Sequence, residues 1–125
     1  MPAAGSRTTR VNDLEVEFVS RGRRPLPATV AYAREKVLAA ARVAPRKVGL
    51  ARVTLTFEEH RSIERPAKAE VTLDVDGEFV RAEAVARSSR EAIDLVEERV
   101  RRRLAGMRWS RPRRATAMRG RGDRS

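Results

Sequence analysis

The side chains in this sequence with chemistry to offer are arginines. Arg99, Arg101, Arg102 and Arg103 fall within five positions. Guanidinium groups grip phosphate oxygens bidentately and stack on bases, so the chemistry in view is polyanion recognition. Bond-making sets are missing. There is no Ser-His-Asp arrangement, no P-loop, no G-x-G-x-x-G and no H-E-x-x-H. His60, the one histidine, lies in a polar stretch with Glu58, Glu59 and Glu64. No apolar pocket is there to raise a carboxyl pKa, so these residues read as ordinary surface. The chain has no cysteine, which excludes disulfides and thiolate metal sites. We therefore expect no catalytic residue, no metal, no cofactor and no small-molecule substrate. Arg121-Gly122-Asp123 spells an adhesion tripeptide. In a basic tail it is a coincidence of letters.

A helix must position the arginine cluster. Over residues 86–106, Ser88 and Glu91 have capping-box spacing. Ile93, Val96, Val100 and Leu104 form one apolar stripe, and Gly106 supplies a stop. Asp94, Glu97 and Glu98 precede the arginines, which suits the helix dipole. Glu97–Arg101 and Glu98–Arg102 are i,i+4 pairs. Four arginines in five positions exceed what a helix end needs. The last turns therefore read as a phosphate-contacting surface.

The other elements follow in order. Residues 1–12 read as a flexible leader. Leu14, Val16 and Phe18 alternate with Glu15 and Glu17, the period of a half-buried strand, until Gly22. Arg21, Arg23 and Arg24 make a basic loop. Pro27 can open a helix that runs to about Arg42, with Val30, Ala33, Val37 and Ala40 on one face. Pro45 ends it. Val48 to Phe57 and Ala67 to Val75 read as strands. Asp76-Gly77 signals a tight hairpin into a return strand ending near Val85. The order is β-α-β-β-β-α, an α+β fold. We expect a four-stranded sheet with both helices packed on one face, like a double-stranded-RNA-binding domain. The crossover between the first two strands should be right-handed. Residues 13–106 form the domain, and 107–125 read as a disordered basic tail.

The 125 residues carry a net charge of +11, unevenly spread. Residues 1–12 hold +2, residues 107–125 hold +6, and the 94 residues between hold only +3. Basic tails meet polyanions. Only three bases are lysines, an arginine preference that GC-rich codon usage accounts for. No apolar run approaches a membrane span and no secretory h-region is present, so the expected location is cytoplasmic, with no membrane partner. Aromatic residues number five, and only Tyr32 and Trp109 carry polar handles that could also stack. Single-strand reading platforms need several sheet aromatics. The predicted mode is therefore shape and phosphate recognition of structured RNA.

Three segments stand out: Phe18-Val19-Ser20-Arg21-Gly22, Tyr32-Ala33-Arg34-Glu35-Lys36-Val37, and Ala92-Ile93-Asp94-Leu95 with Arg99-Val100-Arg101-Arg102-Arg103-Leu104. In these the chain resembles the ribosome hibernation-promoting factor and ribosome-associated inhibitor A family. Arg81-Ala82-Glu83 also fits the family's pattern, and the resemblance covers residues 13–106. It implies binding to the small ribosomal subunit, in the channel that holds mRNA and tRNA anticodon stems. It further implies silencing of idle ribosomes under stress. Carried over by motif, Arg21, Lys36, Arg99 and Arg102 would contact ribosomal RNA. Arg24, Arg34, Arg42 and Arg103 join them on charge alone. Long members carry a further C-terminal domain that pairs ribosomes. This chain ends in an arginine-rich tail, so ribosome dimerisation is not expected of it. The competing readings are a general structured-RNA binder or RNA chaperone, and a regulator acting through protein contacts.

Overall fold

Alternation of apolar and polar residues builds most of the sheet. The computed structural model describes residues 5–11, 14–58 and 64–107. In chain order they form β1 (Gly5–Val11), β2 (Leu14–Gly22), α1 (Pro27–Arg42), β3 (Val48–Phe57), β4 (Ala67–Val75), β5 (Glu78–Ala86) and α2 (Ser89–Met107). The expected tail beyond Met107, with Trp109 and the Arg-Gly-Asp letters, lies outside the described residues. So do His60 and Glu59.

The sheet has five strands in the order β1-β2-β3-β4-β5, which corrects the expected four. The added strand comes from the supposed leader. β1 pairs antiparallel with β2, from Gly5 opposite Ser20 to Val11 opposite Leu14. Its sequence offers little apolar alternation, only β-branched Thr8, Thr9 and Val11. Backbone hydrogen bonding to an otherwise bare β2 edge is what places it, and hydropathy does not register that. The remaining pairs are parallel for β2 and β3, bridged by α1, and antiparallel for β3–β4 and β4–β5. A mixed five-stranded sheet with a parallel pair also departs from the double-stranded-RNA-binding template.

Both helices cover the same sheet face. Phe18, Val53, Leu55, Val71, Leu73 and Val80 from the strands share one core cluster with Ala33, Val37 and Ala40 of α1 and Ile93, Val96, Val100 and Leu104 of α2. Burying each larger aliphatic side chain contributes roughly 1.5–3 kcal/mol. The opposite face is open, and its charges pair locally. Arg52 lies 3.0 Å from Glu17, and Lys68 3.8 Å from Glu83.

The local signals mostly act as read. Pro27 opens α1 without a side-chain cap. Ser88 Oγ accepts the Glu91 N–H at 3.1 Å and caps α2. Asp76 and Gly77 take positive φ of 53° and 90°, the hairpin geometry their types favour. Gly106 does not stop α2 as expected. Met107 extends the apolar stripe by seven residues from Val100 and is buried in the core. That tertiary contact overrides a glycine's weak preference to end the helix.

Gly22 makes a sharp prediction. Its φ is +75°, and an added Cβ would meet the Phe57 carbonyl oxygen at 2.3 Å. That oxygen is held in place, accepting the Arg23 N–H at 3.0 Å. Gly22→Ala should therefore cost at least about 2 kcal/mol, combining left-handed strain with a backbone clash. Gly77→Ala has positive φ but open space, so it should lose only the conformational share. Urea unfolding of the two variants against the parent measures the difference.

Candidate nucleic-acid interface

The two helices run side by side, and their contact decides which bases are available. Tyr32 on α1 donates its hydroxyl to Asp94 Oδ1 on α2 at 2.5 Å. Lys36 Nζ lies 3.7 Å from Glu97 and 5.4 Å from the Tyr32 ring centroid. Glu97 also accepts from Arg101 at 2.9 Å. The Glu97 side chain is only 13% exposed, so two cations flank a largely covered carboxylate. Lys36 is thus a helix-to-helix contact, an engagement its motif position did not reveal. Asp94 and Glu97 stand three apart on α2 and so share the flank turned to α1.

These contacts shift two proton affinities. The hydrogen bond to Asp94 raises the Tyr32 pKa, helped by desolvation. The Glu97 carboxylate raises that of Lys36. Both groups keep their protons longer in the folded chain. Their contribution to stability is full below about pH 10, near the unfolded values, and is lost as pH rises through the raised folded values. Tyr32 is the only tyrosine, so tyrosinate absorbance reads it alone. The titration should lie above the ordinary tyrosine value and move back down in Asp94→Asn.

The other flank of α2 faces the β5 edge. Arg99 donates to the Glu83 backbone oxygen at 2.6 Å. With β4 on its other side, β5 has no strand partner at this edge among the described residues. Arg99, Arg102 and Arg103 line one open cavity of about 530 Å³ with Ala82 and Glu83. Arg102 keeps its i,i+4 partner, Glu98, at 3.3 Å. Both side chains are well exposed, so that pair is weak and exchangeable. Arg103 also borders a cavity of about 610 Å³ on the open sheet face, shared with Arg21, Arg52 and Arg81. A basic surface therefore wraps from the end of α2 around β5.

The eight bases named from sequence do not form one patch. Arg99, Arg102 and Arg103 come together, and Arg21 joins Arg103 across the open face. Arg24 lies at the opposite end, where both helices begin. Arg42 is exposed at the last residue of α1. Arg34 is half-buried on the flank of α1 away from Lys36, and its Nε has no hydrogen-bond partner. Arg52 and Arg81, on the open sheet face, are not among those eight. Their strand register, which pairs Arg52 and Arg81 with the same Thr72, is what brings them beside Arg21. Arg23, Arg87 and Arg90 were also missed as sites, although Arg23 stood in the basic loop. Among the described residues no group of carboxylates or histidines could hold a metal ion. Among them, too, no helix is long and apolar enough to cross a membrane.

Comparison with known proteins completes the picture. A family model described as sigma 54 modulation protein / S30EA ribosomal protein matches residues 16–107. No curated protein matches the sequence. Among solved structures, the crystal structure of the Thermus thermophilus Protein Y N-terminal domain is similar at a TM-score of 0.59 and 21% identity. It covers 79% of this chain and 99% of that one. A ribosomal subunit interface protein from Coxiella burnetii is similar at a TM-score of 0.62 and 12% identity, covering 78% and 98%. At these identities the two structures speak for the fold. β1 precedes the matched residues.

Proposed function

The chain belongs to the sigma 54 modulation protein / S30EA ribosomal protein family, and from that premise we propose that it silences ribosomes by binding small-subunit ribosomal RNA. In this reading it occupies the mRNA–tRNA channel of idle ribosomes in the cytoplasm under stress, preserving them in dormancy. It acts by occupancy and not by catalysis. The observation that carries the reading is the gathering of Arg99, Arg102 and Arg103 on one flank of α2. Three guanidiniums on a rigid helix present a fixed array to phosphate oxygens, with little ordering left to do on binding. The scarcity of aromatic residues fits recognition of a folded RNA surface better than readout of single-stranded bases.

Sedimentation tests it. The chain should travel with small subunits and be displaced by mRNA or initiator tRNA. Affinity should fall by orders of magnitude over a few-fold rise in salt if about six phosphates are engaged. Equal binding to any RNA duplex would transfer the assignment to a general structured-RNA binder. A flat salt response would remove RNA from the mechanism.

A further inference from the structure

The sheet face that the helices leave bare carries its own arrangement of charge. Alternation along β5 buries Val80, Ala82 and Ala84 and turns Phe79, Arg81, Glu83 and Val85 to the open side. Arg81 borders the cavity of about 610 Å³ there, with Arg21 from the end of β2, Arg52 from β3 and Arg103 from α2. Arg52 is engaged by Glu17 at 3.0 Å. Arg21, Arg81 and Arg103 have no ion pair or side-chain hydrogen bond among the described residues. Two carboxylates border the same cavity, Glu70 and Glu83. They stand directly opposite each other in the strand register, an arrangement that like charges disfavour. Glu83 is drawn toward Lys68 at 3.8 Å. Arginines therefore outnumber acids on the face, and three of them are uncommitted within the fold.

Their spacing suits a chain of phosphates. Three strand spacings separate β2 from β5. Arg21 also lies four residues beyond the row that aligns Glu17, Arg52, Thr72 and Arg81. The backbones at Arg21 and Arg81 are thus about 19 Å apart. Guanidiniums at that span match successive phosphates along a strand, not one phosphate ion. Phe79 adds a second kind of contact. Its side chain is 64% exposed, two residues before Arg81 on the same strand and face. A bare ring on a sheet is a stacking platform for a base, tolerant of which base it is. A base stacked there must be out of its duplex, because paired bases keep their faces against their neighbours. One ring takes one base and reads no sequence, in keeping with the few aromatic residues. Arg103 borders both this cavity and the one on the α2 flank, so the two surfaces are continuous.

We propose that the open sheet face binds an unpaired RNA strand. Its phosphates run between Arg81 and Arg21, past Arg103, and one base stacks on Phe79. That this strand belongs to the ribosome rests on the ribosome reading above. The assignment of the face does not.

Fluorescence anisotropy of labelled hexauridylate with the full chain tests this. Phe79→Ala should weaken binding by at least about fivefold, the lower end for loss of one stacked base. Arg81→Gln should weaken it by about tenfold, the loss expected for one charge-assisted contact. It should also lower the log–log salt slope by about 0.7. Glu70→Gln should tighten binding, because a carboxylate facing the phosphates is removed. All three residues lie on the open face, so circular dichroism of the variants should match the parent. A blunt RNA duplex should not respond to Phe79→Ala. Equal affinity of parent, Phe79→Ala and Arg81→Gln for hexauridylate would overturn the proposal, since charge elsewhere in the chain would then hold the probe. A duplex weakened by Phe79→Ala as much as hexauridylate would overturn it too. The expected pattern in a chain that ignores small subunits would sink the ribosome reading and leave this face standing. Small-subunit binding with no response of hexauridylate to either variant would do the reverse.

Discussion

Arg99→Glu combined with Arg102→Glu should reduce ribosome binding by more than about 100-fold while the domain stays folded. Each arginine stands to lose a charge-assisted contact worth roughly 1.5–3 kcal/mol, and two such losses exceed a factor of 100. The introduced carboxylates add repulsion toward phosphate. Neither residue faces the core, since Ile93, Val96, Val100 and Leu104 carry the buried stripe. The fold loses little. Arg102 gives up only its exposed pair with Glu98. Arg99 gives up its bond to the Glu83 carbonyl, worth about 1 kcal/mol or less at an exposed position. Arg99→Gln keeps a donor there and separates the two roles of that side chain. The measurement is co-sedimentation with small subunits across a salt series, where the log–log slope should fall by roughly 2. Unchanged inhibition of translation by the double variant would refute the helix-flank assignment.

Val100→Asp should have the opposite profile, abolishing the fold and binding with it. Val100 is 0% exposed at the centre of the α2 stripe, among Ala, Val and Leu side chains of the same cluster. A carboxylate placed there either stays charged without a partner or takes up a proton at a cost of several kcal/mol. A domain of this size has only about 5–15 kcal/mol in total. Circular dichroism and urea unfolding should show a largely unfolded or severely destabilised chain at neutral pH. Acidification should recover part of the lost stability, because protonation removes the buried charge. Val100→Ala should leave a folded, weakened domain, since it only empties volume.

Much of the architecture is legible in local pattern. Period-two alternation marks β2 to β5, and the i, i+3, i+7 stripe marks α2. Pro27, Ser88 and Asp76-Gly77 act at the positions their chemistry implies. Hydropathy misses β1, because an edge strand needs only a hydrogen-bonding neighbour. The end of α2 is misread because the burial of Met107 is a long-range event. The site is legible in kind and less so in arrangement. Arg99 and Arg102 are adjacent in space because one helical flank carries them. Lys36 sits in an equally persuasive motif, yet it faces Glu97 across the helix interface. Arg87 and Arg90 lie beside the capping residues Ser88 and Glu91, and only the fold brings Arg23 and Arg24 of the β2–α1 loop to the same cavity.

The sequence by itself determines that this chain is basic, cysteine-free and patterned as an α+β domain, and that the end of α2 is a dense run of positive charge. Those properties depend on residue type and short-range spacing, which the linear chain carries in full. Only the tertiary structure decides which arginines are offered outward. Strand register gathers Arg21, Arg52 and Arg81 on the open face beside Arg103 of α2, and helix pairing draws Lys36 onto Glu97. Electrostatic interactions act over a few ångströms between side chains as distant in the chain as Lys36 and Glu97. Whether a given charge is spent inside the fold or left for a partner is therefore set by packing and not by its neighbours in sequence.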